Sequence, residues 1–120
     1  MKNKIIYWAT SGLVAAAMIL AAIGYFTSPE MRTTFEHLGF PDYFRVELGV
    51  AKILGAIVLI VPMFPERVKA FAYFGFAITF VSASIAHLSS GDPISVAIVP
   101  LVFLAILMVS FNFRNKLENV

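Results

Sequence analysis

Three ionisable residues of this chain fall inside apolar runs: Lys52, Glu47 and His87. Lys52 lies in Leu48-Gly49-Val50-Ala51-Lys52-Ile53-Leu54-Gly55-Ala56. In a helix that starts near Asp42, it sits about 13 Å below the start at ~1.5 Å per residue. An ionisable group at that depth costs about 2.5–3.5 kcal/mol on insertion scales. It must therefore pair with an acid, meet a ligand's oxygen, or snorkel to the headgroups. Leu48, Gly49, Gly55 and Ala56 lie three or four residues away. That side is rich in small residues, so it should face another helix, and pairing or ligand binding is expected. Glu47 is five residues from Lys52, about 140° around the helix, so the two do not stack.

His87 ends the stripe Tyr73, Phe76, Phe80, Ser84, His87, whose spacing is helical. The stripe is aromatic below and polar on top. Such a stripe is more often core packing than a cofactor box, yet an intramembrane histidine usually points inward. The opposite side of that helix, Ala72, Gly75, Thr79, Ser82 and Ala86, reads as a small-residue ridge for close helix contact. Antiparallel helices would bring His87 and Glu47 to similar depth in the outer half, with Lys52 able to reach up to them. They are the expected ligand-binding or buried polar cluster, with Tyr73, Ser84, Glu36 and His37 in support.

Other chemistry finds little footing. There are two histidines, no His-x-x-His or His-x-x-x-His pair and no cysteine, which argues against a structural metal site. Disulfides and thiol redox within the chain are excluded. Haem ligation by His37 and His87 is disfavoured. No phosphate-binding glycine loop or nucleophile elbow occurs. No catalytic residue is assigned, and catalysis by the chain alone is not expected.

The elements that hold these residues follow from composition. Hydrophobic residues make up 60% of the 120, charged residues only 13%, and the mean hydropathy is +0.88. Soluble domains carry roughly a quarter charged residues, and so short a chain cannot bury this much apolar surface within itself. Lipid must be its solvent. An all-α bundle of four transmembrane helices is expected, in one domain covering 1–120, with spans at about 5–26, 43–61, 68–88 and 93–111. The first span, flanked by Lys4 and aromatic at both ends, is longer than a signal-peptide core and has no clear small-x-small cleavage site. It reads as a retained helix.

Between the first two spans, residues 27–40 read as a short interfacial helix. Ser28 is its expected N-cap, Pro29 its first residue, and Gly39 and Pro41 its end. Asp42 is the expected N-cap of the second span, and Pro100 should kink the fourth. The tail 112–120 is polar. Lys2, Lys4, Arg67, Lys69, Arg114 and Lys116 all fall on one side of a four-span bundle. The positive-inside rule then puts both termini in the cytoplasm, in an inner (cytoplasmic) membrane. The net charge is only +2 and forms no basic patch, so nucleic acid is not an expected partner.

Five segments carry a resemblance. They are His37-Leu38-Gly39-Phe40-Pro41-Asp42-Tyr43, Leu48 to Ala56 as quoted above, Ala72-Tyr73-Phe74-Gly75-Phe76, Ala86-His87-Leu88 and Gly91-Asp92-Pro93. In content, order and spacing they resemble the DoxX-like family across nearly the whole chain. The resemblance implies a small four-helix membrane bundle. It points to Lys52 and His87 as characteristic polar positions and to Gly39, Pro41 and Gly55 as geometric ones. It implies little about activity. The family's name comes from a membrane subunit associated with a thiosulfate:quinone oxidoreductase, and other relatives resemble membrane chaperones or components of oxidative-stress complexes. The absence of cysteine speaks against a thiol relay here.

Two function classes follow. One is a non-catalytic module that binds a hydrophobic small molecule, such as a quinone or lipid, or a membrane partner or second copy. The other is a membrane subunit of a quinone-linked oxidoreductase, with its redox centre supplied by a partner. A transporter ranks third, because a single four-span bundle without an inverted repeat would have to oligomerise.

Overall fold

The computed structural model describes residues 2–118, which contain five helices and no strand. They are α1 (Lys2–Thr27), α2 (Pro29–His37), α3 (Asp42–Ile60), α4 (Glu66–Ser89) and α5 (Ile94–Glu118). α1, α4 and α5 are long and apolar enough to cross a membrane. α3 has 19 residues but carries Asp42, Arg45, Glu47 and Lys52, and this charge sets it apart.

The four long helices close on a core that includes Val14, Met18, Leu59, Phe76, Phe80 and Leu107. α1 packs against α3 and α5, α4 against α5 and α3, and α2 lies over α1 and α3 at one end. Gly49 and Gly55 make these contacts close. A Cβ on Gly49 would fall 2.8 Å from the Phe26 ring, and one on Gly55 2.7 Å from the Phe76 ring. Large apolar side chains also cover the outside, among them Leu20, Leu54, Phe71, Phe74, Ile85 and Ile94. A water-soluble monomer does not carry such a surface. It suits lipid, and the protein is a multi-pass membrane protein.

The joints repay local inspection. Ser28 takes the N-cap position of α2, without a side-chain capping bond, and Pro29 opens the helix, as its sequence predicts. Proline has no N–H, so the Tyr25 carbonyl, four residues back, loses its helical donor. Arg45 donates to that carbonyl instead. Its Nε also donates to Asp42 Oδ1 at 3.1 Å, where Arg32 Nε arrives at the same distance. One buried arginine thus joins the end of α1 to the start of α3.

Two expectations need correction. Pro41, not Asp42, is the N-cap of α3, since the Asp42 carboxylate is held by two arginines. The segment from Asn112 onward is not a separate tail but continues α5 to Glu118, because no breaker follows Phe111 and Arg114 is buried. Asn119 and Val120 lie outside the described residues. Pro100 lies inside α5, which continues on both sides of it. In the adjoining turn the Ser84 hydroxyl donates to the Ala97 carbonyl at 2.7 Å. Neighbouring hydroxyls of this kind help satisfy the backbone beside a membrane proline.

Candidate functional site

Two helix ends build the rim of the site in the same way. α2 ends at Gly39 with φ +86°, and α4 ends at Gly91 with φ +82°. At α2, Phe40 N–H donates to Phe35 C=O and Gly39 N–H to Glu36 C=O. At α4, Asp92 N–H donates to His87 C=O and Gly91 N–H to Leu88 C=O. Both are Schellman motifs, which need a left-handed residue at the position glycine fills. The second folds Asp92 back over the last turn of α4. His87 Nδ1 then donates to Asp92 Oδ2 at 2.7 Å. His37, in the last turn of α2, donates from Nε2 to Asp92 Oδ1 at 2.8 Å. One carboxylate takes a bond on each oxygen from two histidines 50 residues apart, and this clasp ties α2 to the turn between α4 and α5. Both hydrogen bonds, that from His87 the stronger, hold the Asp92 carboxyl below the usual carboxylate range.

Inside the clasp is a cavity of about 410 Å³. Its roof is α2, with Met31, Phe35 and Leu38, and its wall is α4, from Ile78 to His87. Lys52 and Tyr25 line it from α3 and α1. Lys52 is only 8% exposed. Its ammonium donates to the Tyr25 hydroxyl at 2.7 Å and lies 4.7 Å from the centre of that ring. An ammonium has three donors, and Tyr25 takes one. A second hollow of about 170 Å³ between α3 and α4 shares Leu48, Lys52 and Thr79 with the first.

The expected cluster is thus partly assembled. Lys52 and His87 line one cavity but bond to different partners. Glu47 is outward on α3 and makes no ion pair among the described residues. His37 joins the clasp, while Glu36 is exposed. Ser84 is engaged with Ala97. Tyr73 belongs to the opposite half, where its hydroxyl pairs with Ser110 at 2.6 Å, and Ser110 with Ser11 at 2.6 Å. The small-residue ridge of α4 is not packed tightly. Nothing would lie within 4 Å of a Cβ on Gly75, and Thr79, Ser82 and Ala86 border the cavity. The aromatic stripe on the other side of α4 fills the core instead, and the ridge is left as a wall.

The end of the bundle away from α2 holds a further polar group. Lys69, 3% exposed, donates to Tyr7 OH and to the Leu59 carbonyl, each at 3.3 Å. Trp8 presents its ring 5.7 Å away. These residues, like Tyr25, Arg45 and Asp92, were absent from the expected site. Tyr25 reads as an interfacial aromatic, Lys69 as a loop charge and Asp92 as a turn residue.

No curated protein and no solved structure matches the chain. A family model described as the DoxX-like family matches residues 9–110. That stretch contains Tyr25, Lys52, the clasp histidines and Asp92. Matched over most of its length and through the whole cavity, the chain belongs to the DoxX-like family.

Proposed function

We propose that this protein is a four-span, non-catalytic membrane module that binds a hydrophobic small molecule beneath α2. The observation that carries the reading is Lys52: a buried ammonium whose one hydrogen-bond partner among the described residues is Tyr25, facing a cavity with an aromatic roof. Ligand sites are concave and mostly apolar, with a few convergent polar groups to fix orientation. A polar head on Lys52 and an apolar body under Phe35 fit that description. A partner's helix fits less well, because α2 covers the space. On substitution of Lys52→Met, we expect the ligand-dependent rise in thermal stability to vanish in mild detergent while the fold persists. An unchanged rise would sink the reading.

The fourth span is α3. At ~1.5 Å per residue its 19 residues reach about 28 Å, close to a hydrocarbon core of about 30 Å. Arg45 and Lys52 turn inward, while Val46, Val50, Leu54, Ile57 and Ile60 face out. With four spans the basic ends share the cytoplasmic side of an inner membrane. The chain has no cysteine to confuse labelling. In intact cells Thr33→Cys should react with a membrane-impermeant maleimide, and Met63→Cys only after permeabilisation. Equal reaction of both before permeabilisation would refute this topology.

The second reading, a subunit of a quinone-linked oxidoreductase, draws on the same two donors. Lys52 and Tyr25 could hold a quinone carbonyl, with electrons supplied by a partner. Quinol turnover unchanged by removal of the protein from its membrane would count against it.

A further inference from the structure

The cavity floor carries one sign of charge. No carboxylate among the described residues bonds Lys52. Glu36 and Glu47 face outward. Asp92 is held by two histidines, and Asp42 by two arginines. The ammonium instead leans on a phenol. A buried cation without a counter-ion is costly, and an anionic hydrogen-bond acceptor relieves that cost more than a neutral one.

The space has a size as well as a sign. A water-sized group takes about 30 Å³, so about 410 Å³ holds roughly a dozen such groups. That is room for one alkyl chain of moderate length. The adjoining hollow of about 170 Å³ opens at the same lysine, between Gly55 on α3 and Gly75 on α4.

Resting on the ligand-binding reading above, we propose that the ligand is a single-chain anionic amphiphile, a carboxylate or phosphate monoester. Its head sits on the Lys52 ammonium and the Tyr25 hydroxyl, and its chain lies under α2 against Phe35 and Leu38. The anion completes the ammonium's hydrogen bonds, and the roof keeps the chain from competing lipid.

The test uses the full chain in a nonionic maltoside detergent with four probes of equal chain length: dodecanoate, dodecyl phosphate, dodecanol and dodecyltrimethylammonium. Thermal shift and native mass spectrometry read binding. Dodecanoate, dodecyl phosphate or both should bind at least tenfold more tightly than dodecanol, and the cation should not bind. Which anion is tighter identifies the head. Lys52→Met should abolish the preference and Lys52→Arg should keep it. Ala83→Phe leaves the charge but fills the cavity, so it should abolish binding even if Lys52→Met does not fold. Equal binding of dodecanol and dodecanoate, both dependent on Lys52, overturns the anionic head and leaves the broader reading standing. Binding that survives Ala83→Phe overturns the location. If no probe binds, and a short-chain quinone does not either, both readings fall.

Discussion

Lys69→Ala should lower the thermal unfolding midpoint in mild detergent more than any other single truncation at the end of the bundle away from α2. Lys69 belongs to the first turn of α4, yet its ammonium reaches two other helices. It donates to Tyr7 on α1 and to the Leu59 carbonyl on α3. Leu59 lies in the last turn of α3, whose carbonyls have no helical donor ahead of them. Truncation leaves that carbonyl and the Tyr7 hydroxyl without this donor, and a void where the lysine stem packed. Orphaned groups of this kind cost about 1–3 kcal/mol each, and the void adds to that. Relief of the like charge on Arg114 returns part of it. A net loss of about 2–4 kcal/mol is expected. Lys69→Met keeps the volume and removes the charge, so it should lose less, and the gap between the two variants measures the packing share. A Lys69→Ala protein that melts with the wild type would mean this end is held by the serine–tyrosine pairs alone.

The helices themselves were legible, because lipid demands long apolar runs and prolines and glycines punctuate them. Lys52 was legible for the same reason: a charge so deep in an apolar helix has few places to go. Its partner was not. Tyr25 sits where an interfacial aromatic is expected, and only the packing of α1 on α3 turns its hydroxyl toward the ammonium. Glu47 looked like a cluster member by depth alone. The 140° offset from Lys52 was the better guide, and it leaves Glu47 outward. Lys69 and Arg114 read as cytoplasmic loop charges, and they are buried because α4 starts earlier and α5 ends later than hydropathy implies. The ridge from Ala72 to Ala86 was visible as small residues, but small residues serve close packing and open space equally. Only the tertiary arrangement decides for space. Asp92 was the least legible of all. Its position depends on Gly91 turning the chain back and on α2 folding down from a distant part of the sequence.

That carboxylate leads to the second large effect, on the motion of α2. The helix is short, nine residues, and too polar to be held by burial of its own face except through Phe35. Beyond that ring it is tied by Arg32 to Asp42 and by His37 to Asp92. Spin labels at Thr33→Cys on α2 and Ser95→Cys at the start of α5 should report a narrow distance distribution at pH 7. Asp92→Ala removes both histidine bonds at once, so the distribution should broaden at every pH. In the wild type the pH dependence has a definite sign. The folded carboxyl titrates below its unfolded value of about 3.9. The clasp therefore contributes in full above that value and is lost as the pH falls through the lower, folded value. A neutral carboxyl no longer accepts strongly from both rings, and α2 should lift. Lowering the pH below about 3.9 should progressively reproduce the Asp92→Ala distribution. If the wild type stays narrow at low pH and Asp92→Ala stays narrow at pH 7, Phe35 and Arg32 suffice to hold the roof. A loosened roof should also release a ligand beneath it faster, so Asp92→Ala should raise the off-rate of the proposed amphiphile more than it weakens its contact with Lys52.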